Sequence, residues 1–197
     1  MNTHQMSTRT DDVIIVGSGI GGLACALSMA PRSVTVVTKT PQLEGGSSLW
    51  AQGGIAAAVG PGDSPEAHAA DTVSAGAGLS NPDRARHLTE EGAASLEWLI
   101  KEGIPFDREL DGELALPHQG ADQFPRVEHA GGDTTGYVMM QSLIERVVVT
   151  PSINVLDDTI AHDLVVEDGR VAGLVTFNTK NGWVFHRAPV VVLATGG

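Results

Sequence analysis

Three glycines and the strand before them carry the plainest chemistry in this sequence. Gly17-Ser18-Gly19-Ile20-Gly21-Gly22 follows directly on the run Asp12-Val13-Ile14-Ile15-Val16 and leads into an Ala/Leu-rich segment. In Gly17-x-Gly19-x-x-Gly22 the first glycine permits a tight turn and the second lets a diphosphate approach the backbone. The third lets helix and strand pack closely. The N–H groups from Ser18 to Gly21 then face an anion at the positive end of a helix dipole. This is the chemistry of gripping a dinucleotide by its diphosphate, and it needs no lysine or arginine. An acidic residue some ~20 positions further on usually receives the ribose hydroxyls. Here the second strand ends in Thr38-Lys39 instead. A lysine at that point suits a phosphate or an adenine edge better than a ribose diol, which counts against a plain NAD dehydrogenase.

The elements that must position this turn are legible from periodicity. Residues 12–16 form a short β-branched run, as in a strand buried on both faces of a parallel sheet. A helix is predicted to about Ala30, stopped by Pro31, and a second buried strand over Ser33–Thr38. Together they make a compact βαβ unit. Residues 40–62 are rich in Gly, Ser and Ala and give no clear period. Ser64 and Pro65 open a helix to about Ala77. Asn81-Pro82 opens another, running to about Glu102 with Leu88, Ala93, Leu96, Leu99 and Ile100 as its apolar face. Residues 104–135 read as irregular, and a helix follows from Gly136 to about Val148. From Ile153 the pattern turns to β: Ile153–Leu156, Ala161–Glu167, Arg170–Phe177 and Trp183–His186, with hairpin turns at Asp168-Gly169 and Asn181-Gly182. Val190–Ala194 reads as a last, fully buried strand. The fold class is α/β: a Rossmann-like domain with a parallel central sheet, added helices and a β-meander, incomplete at the C-terminus. Residues 1–10 are expected to be a flexible N-terminus and 11–197 one partial domain.

Composition bounds the partners. Of 197 residues, 42 % are hydrophobic and 18 % charged, and the net charge is -12. That charge argues against nucleic acid or an anionic membrane as partner. Cys25 is the only cysteine, so no intramolecular disulfide forms and a reducing compartment is expected; it reads as a small packed hydrophobe. No run approaches ~18 apolar residues, and the N-terminus lacks the apolar centre of a signal peptide. A cytoplasmic location is the expectation. His118, His129 and the acids around them show no metal-site spacing, so no metal is expected.

The block Glu44-Gly45-Gly46-Ser47-Ser48-Leu49-Trp50-Ala51-Gln52-Gly53-Gly54-Ile55-Ala56-Ala57 resembles a segment of the flavoprotein family that includes fumarate reductase, succinate dehydrogenase and L-aspartate oxidase. Within that family Ala51-Gln52-Gly53-Gly54-Ile55-Ala56-Ala57 looks most like the L-aspartate oxidases. So do Asp71-Thr72 with Ala75-Gly76-Ala77-Gly78, Trp98-Leu99-Ile100 with Gly103-Ile104-Pro105-Phe106-Asp107, and Pro125-Arg126-Val127 with His129-Ala130. Asp133-Thr134-Thr135-Gly136 and the terminal Val191–Gly197 extend the likeness, which runs from Asp12 to Gly197. The resemblance implies FAD as cofactor, with contacts from Gly17, Ser18, Gly19, Ile20, Gly21, Gly22, Lys39 and the stretch Ser47, Ser48, Leu49, Trp50, Ala51, Gln52, Gly53 and Gly54. Thr159-Ile160-Ala161, chiefly Ala161, is implied at the adenine, and Ala194, Thr195 and Gly196 on the other side. Paired glycines bring backbone donors close to a flat ring, where they stabilise charge on a reduced flavin. Counting back from Gly53-Gly54, Ser47 falls where fumarate reductases carry the histidine that bonds FAD, so FAD is expected to be held non-covalently.

The same resemblance implies oxidation of L-aspartate to iminoaspartate, with O₂ or fumarate as acceptor, at the start of the quinolinate route to NAD, and a functional link to quinolinate synthase. It implies Gln119, Asp122, Thr134 and Thr135 as substrate-proximal. Here the chain departs from the family: Gln119 stands where the L-aspartate oxidases have a glutamate near the substrate amino group, and Asp122-Gln123 where they have His-Ser. An amide attracts an ammonium less strongly than a carboxylate does. The groups that clamp the substrate carboxylates and the arginine that moves a proton are implied beyond Gly197, so no catalytic residue is assigned. Arg126 is expected to pair with Asp122 or a neighbouring carboxylate. The alternatives are a flavoprotein like fumarate reductase or succinate dehydrogenase, which binds an amine-free dicarboxylate, and a non-catalytic FAD-binding fragment.

Overall fold

The computed structural model describes residues 6–117 and 122–196. The chain divides into two compact bodies, Met1–Leu49 with Leu143–Gly197 and Trp50–Ser142, where the sequence reads as one domain.

The first body is built on two sheets. Strand β1 (Ser7–Thr10) comes first, so the second half of the expected flexible N-terminus is a strand. Strands β2 (Val13–Val16) and β3 (Val34–Val37) are buried at every residue and flank helix α1 (Ile20–Ser28). The predicted βαβ unit forms, with ends trimmed by one or two residues. Further along come β6 (Ile153–Leu156), β7 (Thr159–Glu167), β8 (Arg170–Asn178), β9 (Gly182–Arg187) and β10 (Val190–Leu193). The parallel sheet has the order β10-β2-β3-β6, and the other has β1-β9-β8-β7. In the latter β7, β8 and β9 form the expected antiparallel meander, and β1 adds in parallel along β9. At the β7–β8 turn Asp168 and Gly169 both have positive φ, 50° and 75°, the backbone that a two-residue hairpin with right-handed twist requires.

Ile14, Val16 and Val37 pack with Leu174 and Ala188 to form a core shared by the two sheets. Each such fully buried branched side chain contributes ~1.5–3 kcal/mol through water release. A buried polar chain accompanies it. The His186 ring lies 3.1 Å from Asp11 and 3.1 Å from Thr176, and Thr35 donates to Asp11 at 2.6 Å. One expectation fails here. Strand β10 is not fully buried, Val190 and Leu193 being 42 % and 60 % exposed, because it is the edge of its sheet and pairs only with β2.

The second body carries α2 (Pro65–Ala75), α3 (Pro82–Glu90), α4 (Gly92–Lys101) and a small ribbon of β4 (Ile55–Ala56) with β5 (Val127–Glu128). Ser64 caps α2 by accepting the Ala67 N–H at 3.1 Å, and Asn81 caps α3 by accepting that of Arg84 at 3.1 Å. The long helix expected over 81–102 is two helices. Glu91, at φ −84° and ψ −10°, ends α3 and starts α4, and Gly92 beside it has the weakest helix propensity after proline. The break reorients the apolar face: Leu96 and Leu99 are buried, while Leu88 is largely exposed. Helix α5 (Thr135–Val149) follows, close to its predicted limits.

Candidate functional site: a cofactor cleft and an acidic cavity

The first body holds a cleft of about 400 Å³ at the C-terminal ends of β2 and β3, the place where open α/β sheets bind ligands. Gly17, at φ 112°, makes the turn out of β2; a Cβ there would overlap the Ala194 carbonyl oxygen, and one on Gly22 the Gly17 carbonyl oxygen. These two glycines are therefore fixed by packing alone. Gly19 has no side chain with which to cap α1, so of its first-turn N–H groups those of Gly21 and Gly22 are left for an anion. A Cβ on Gly19 would stand 3.1 Å from Ser48 Oγ, and Ser48 Oγ accepts the Ile20 N–H at 3.2 Å. The cleft lining holds no aspartate or glutamate; Lys39 is its one charged residue, and glycine, Ser and Thr make up most of the rest. A helix start open beyond Ile20, hydroxyl donors and one cation fit an anionic diphosphate.

The second body holds a separate cavity of about 640 Å³, lined by Gln52 and Gly53 and by Asp107, Glu109, His129 and Asp133, with Ala115–Pro117 and Gly132 completing the wall. Among the described residues its lining has three carboxylates and no lysine or arginine. The Asp107 carboxylate accepts the N–H groups of Gly131 and Gly132 at 2.9 and 3.0 Å. The His129 ring nitrogen lies 3.0 Å from the Gly132 carbonyl oxygen. The paired glycines divide their work. A Cβ on Gly54 would overlap the Glu128 carbonyl oxygen, whereas Gly53 has open space. Gly54 serves the β4–β5 ribbon, and Gly53 is the one left free to face a ligand.

The second body also holds a charge cluster around a buried arginine. Arg126 is wholly buried and grips Asp63 with two bonds of 3.0 Å. It lies 3.0 Å from Asp71 and 3.6 Å from Asp122. Its expected pairing with Asp122 is thus present but secondary. Gln123 donates to Asp71 twice, from its backbone at 3.0 Å and its amide at 2.7 Å. These bonds, and then Arg126, hold the Asp71 carboxyl below its usual range. Burial, followed by Arg126, lowers the His68 pKa. Glu128 is buried, neither carboxyl oxygen has a hydrogen-bond partner among the described residues, and desolvation pushes its pKa up to about 8. Sequence gave no signal for Glu128 or for Asp63, whose partner lies 63 residues away.

The structure sorts the expected residues. Gly17, Ser18, Gly19, Lys39, Ser47, Ser48, Ala161, Thr195 and Gly196 all line the cleft, joined by Thr38, Thr40, Gly45 and Gly46, which motif reading missed. Ile20, Gly21, Gly22 and Leu49 do not line it. Trp50, Ala51, Gln52, Gly53 and Gly54 belong to the second body, where Gln52 and Gly53 line its cavity; Trp50 is 83 % exposed. Among the substrate-proximal expectations, Gln119 lies outside the described residues, as does His118. Asp122 serves Arg126. Thr134 donates to the Gly131 carbonyl at 2.8 Å, and buried Thr135 accepts the Ala130 N–H at 3.2 Å. Neither threonine lines the cavity, since both hydroxyls fasten the turn before α5. Cys25 is half-buried and free. Among the described residues no cluster of three or more metal-ligating side chains occurs, and no helix is long and apolar enough to cross a membrane.

Comparison with known proteins agrees with the cleft. The FAD binding domain family matches residues 12–197. L-aspartate oxidase of Streptomyces coelicolor is 41 % identical over 94 % of this chain and 33 % of its own length. That of Bacillus subtilis is 38 % identical over 98 % and 35 %. Among solved structures, a quinol fumarate reductase of E. coli superposes with a TM-score of 0.88 at 32 % identity, covering 98 % of this chain and 33 % of that one. A flavocytochrome c3 fumarate reductase does so with 0.84 at 27 %, covering 96 % and 34 %. The chain spans about a third of the length of these relatives. A family match across all but its first residues, with a glycine turn built to take a diphosphate, means that the chain belongs to the FAD-binding-domain family and that FAD is its cofactor.

Proposed function

We propose that this chain is the cofactor-holding part of an FAD-dependent oxidoreductase that oxidises L-aspartate to iminoaspartate. The observation that carries the reading is its likeness to L-aspartate oxidases over nearly its whole length. In this reading the α1 N-terminus and the Gly17–Gly19 backbone hold the diphosphate, and Lys39 adds a positive charge at the cleft. Ser47 in place of a histidine leaves FAD non-covalently held. FAD bound there would supply the two-electron acceptor for a hydride equivalent from the substrate, with O₂ or fumarate as the final oxidant. The chain's own residues bind and orient; Gly53 offers a backbone free of side-chain atoms to the reacting region. The carboxylates lining the second body's cavity would attract an ammonium, which favours an amino acid over an amine-free dicarboxylate despite the amide at Gln119. The product would feed a condensation towards quinolinate, in the cytoplasm. Trapping iminoaspartate formed from L-aspartate under air by the full-length gene product, with flavin bleaching when air is withheld, is the expected outcome.

The fold likeness to fumarate reductases favours a second reading, dicarboxylate reduction. Fumarate reduced by a dye donor, with aspartate untouched, would replace the first reading with this one. Bound FAD with neither reaction would make the chain a cofactor-binding piece without turnover.

A further inference from the structure

We propose that Thr38 is a positioning residue for the FAD cleft: its hydroxyl sets the segments that line the cleft. The inference rests on the FAD assignment. In dinucleotide folds the residue ending the second strand usually faces the ribose. Here Thr38 is buried, and its Oγ1 lies 2.8 Å from Ser18 Oγ and 3.1 Å from Thr40 Oγ1. Ser18 Oγ donates to the Leu43 carbonyl at 3.3 Å.

One proton per hydroxyl gives these contacts a direction. Ser18 uses its proton on Leu43, so it accepts from Thr38. Thr38, having donated, accepts from the Thr40 hydroxyl and also from the Thr40 N–H at 3.4 Å. The chain therefore runs from Thr40 through Thr38 and Ser18 to Leu43. Its far end holds a strained point: Gln42 and Leu43 have φ of 53° and 63° without being glycine, a conformation that persists only when its surroundings hold it. Leu43 is buried, and the Ser18 bond fixes its carbonyl. The Thr38 main chain completes the set, its carbonyl accepting the Thr159 N–H at 2.9 Å. The glycine turn, the loop from Thr40 to Ser48 and the start of β7 all meet at this one residue, and all three line the cleft. The absent ribose carboxylate thus has a structural replacement that acts through its neighbours.

The test compares Thr38→Val, Thr38→Ser and Ser18→Ala by two readouts: FAD affinity from flavin fluorescence, and amide hydrogen exchange without FAD. Thr38→Val keeps the size and removes the hydroxyl. It is expected to weaken FAD about tenfold, the scale of one lost buried hydrogen bond, and to speed exchange in Thr40–Ser48 while α2 to α4 keep their rates. Ser18→Ala is expected to do the same, the double variant to be no worse than either single one, and Thr38→Ser to restore both readouts. A folded Thr38→Val protein with unchanged affinity and exchange overturns the proposal, as does a Thr38→Ser protein as impaired as Thr38→Val. Should Thr38→Val not fold, Ser18→Ala decides by the same two outcomes. If the unaltered protein takes up no FAD, the cofactor assignment fails by itself, and the exchange readout still decides the positioning role.

Discussion

The cleft of the first body and the cavity of the second differ most in the charge they present. The chain carries 24 acidic against 12 basic residues, yet the cleft lining has no carboxylate and one lysine, while the cavity lining has three carboxylates and neither lysine nor arginine. Net charge therefore says little about either ligand. The cleft is made for an anion by glycines that bare the backbone and by hydroxyls, at almost no cost in formal charge. The cavity is acidic, and the same body keeps the buried guanidinium of Arg126 on Asp63, Asp71 and the half-buried Asp122.

The contrast can be broken from either side. The largest effect is expected at Arg126. Arg126→Met leaves the buried carboxylates of Asp63 and Asp71 without their cation, at a cost of about 3–5 kcal/mol, read as a lowered midpoint in urea. Gly19→Val acts on the cleft. It places atoms where the diphosphate must approach and against Ser48, so FAD affinity should fall by about 1–3 kcal/mol, as in an overpacked site, with little change in urea midpoint.

Glu128 gives a smaller, pH-dependent effect. Its folded pKa lies near 8 against an ordinary 4.5. Between those values the folded state binds the proton that the unfolded state has lost, so stability falls as pH rises through that window and levels off above it. Glu128→Gln should flatten that fall and leave stability at about pH 4.5 unchanged, as thermal melts across the range would show. The smallest effect belongs to Lys39, which is exposed. Lys39→Ala should weaken FAD by less than about 1 kcal/mol, and the difference should fade in high salt.

How much was legible follows from the range of each signal. The βαβ unit and the meander are local: β-branched runs, a glycine turn and Asp168-Gly169 each announce themselves within a few residues. The break at Glu91 was not, because the apolar spacing of Leu88, Leu96 and Leu99 continues across it. Strand β10 reads as buried from its valines, but burial depends on having a neighbour on each edge, which no short window records. The cleft was found from its glycine motif and its family likeness. Thr38 was seen only as the place where an acid was missing, since its hydroxyl contacts join residues 20 positions apart. Asp122-Gln123, which depart from the family pattern, proved to be held by Arg126 and Asp71.

Titration with FAD tests the central claim most directly, followed by flavin absorbance through gel filtration, for the unaltered protein and Gly19→Val side by side. The account predicts one equivalent of FAD co-eluting with the unaltered protein and a clear loss in the variant. No saturable uptake, or uptake that Gly19→Val leaves untouched, would contradict it.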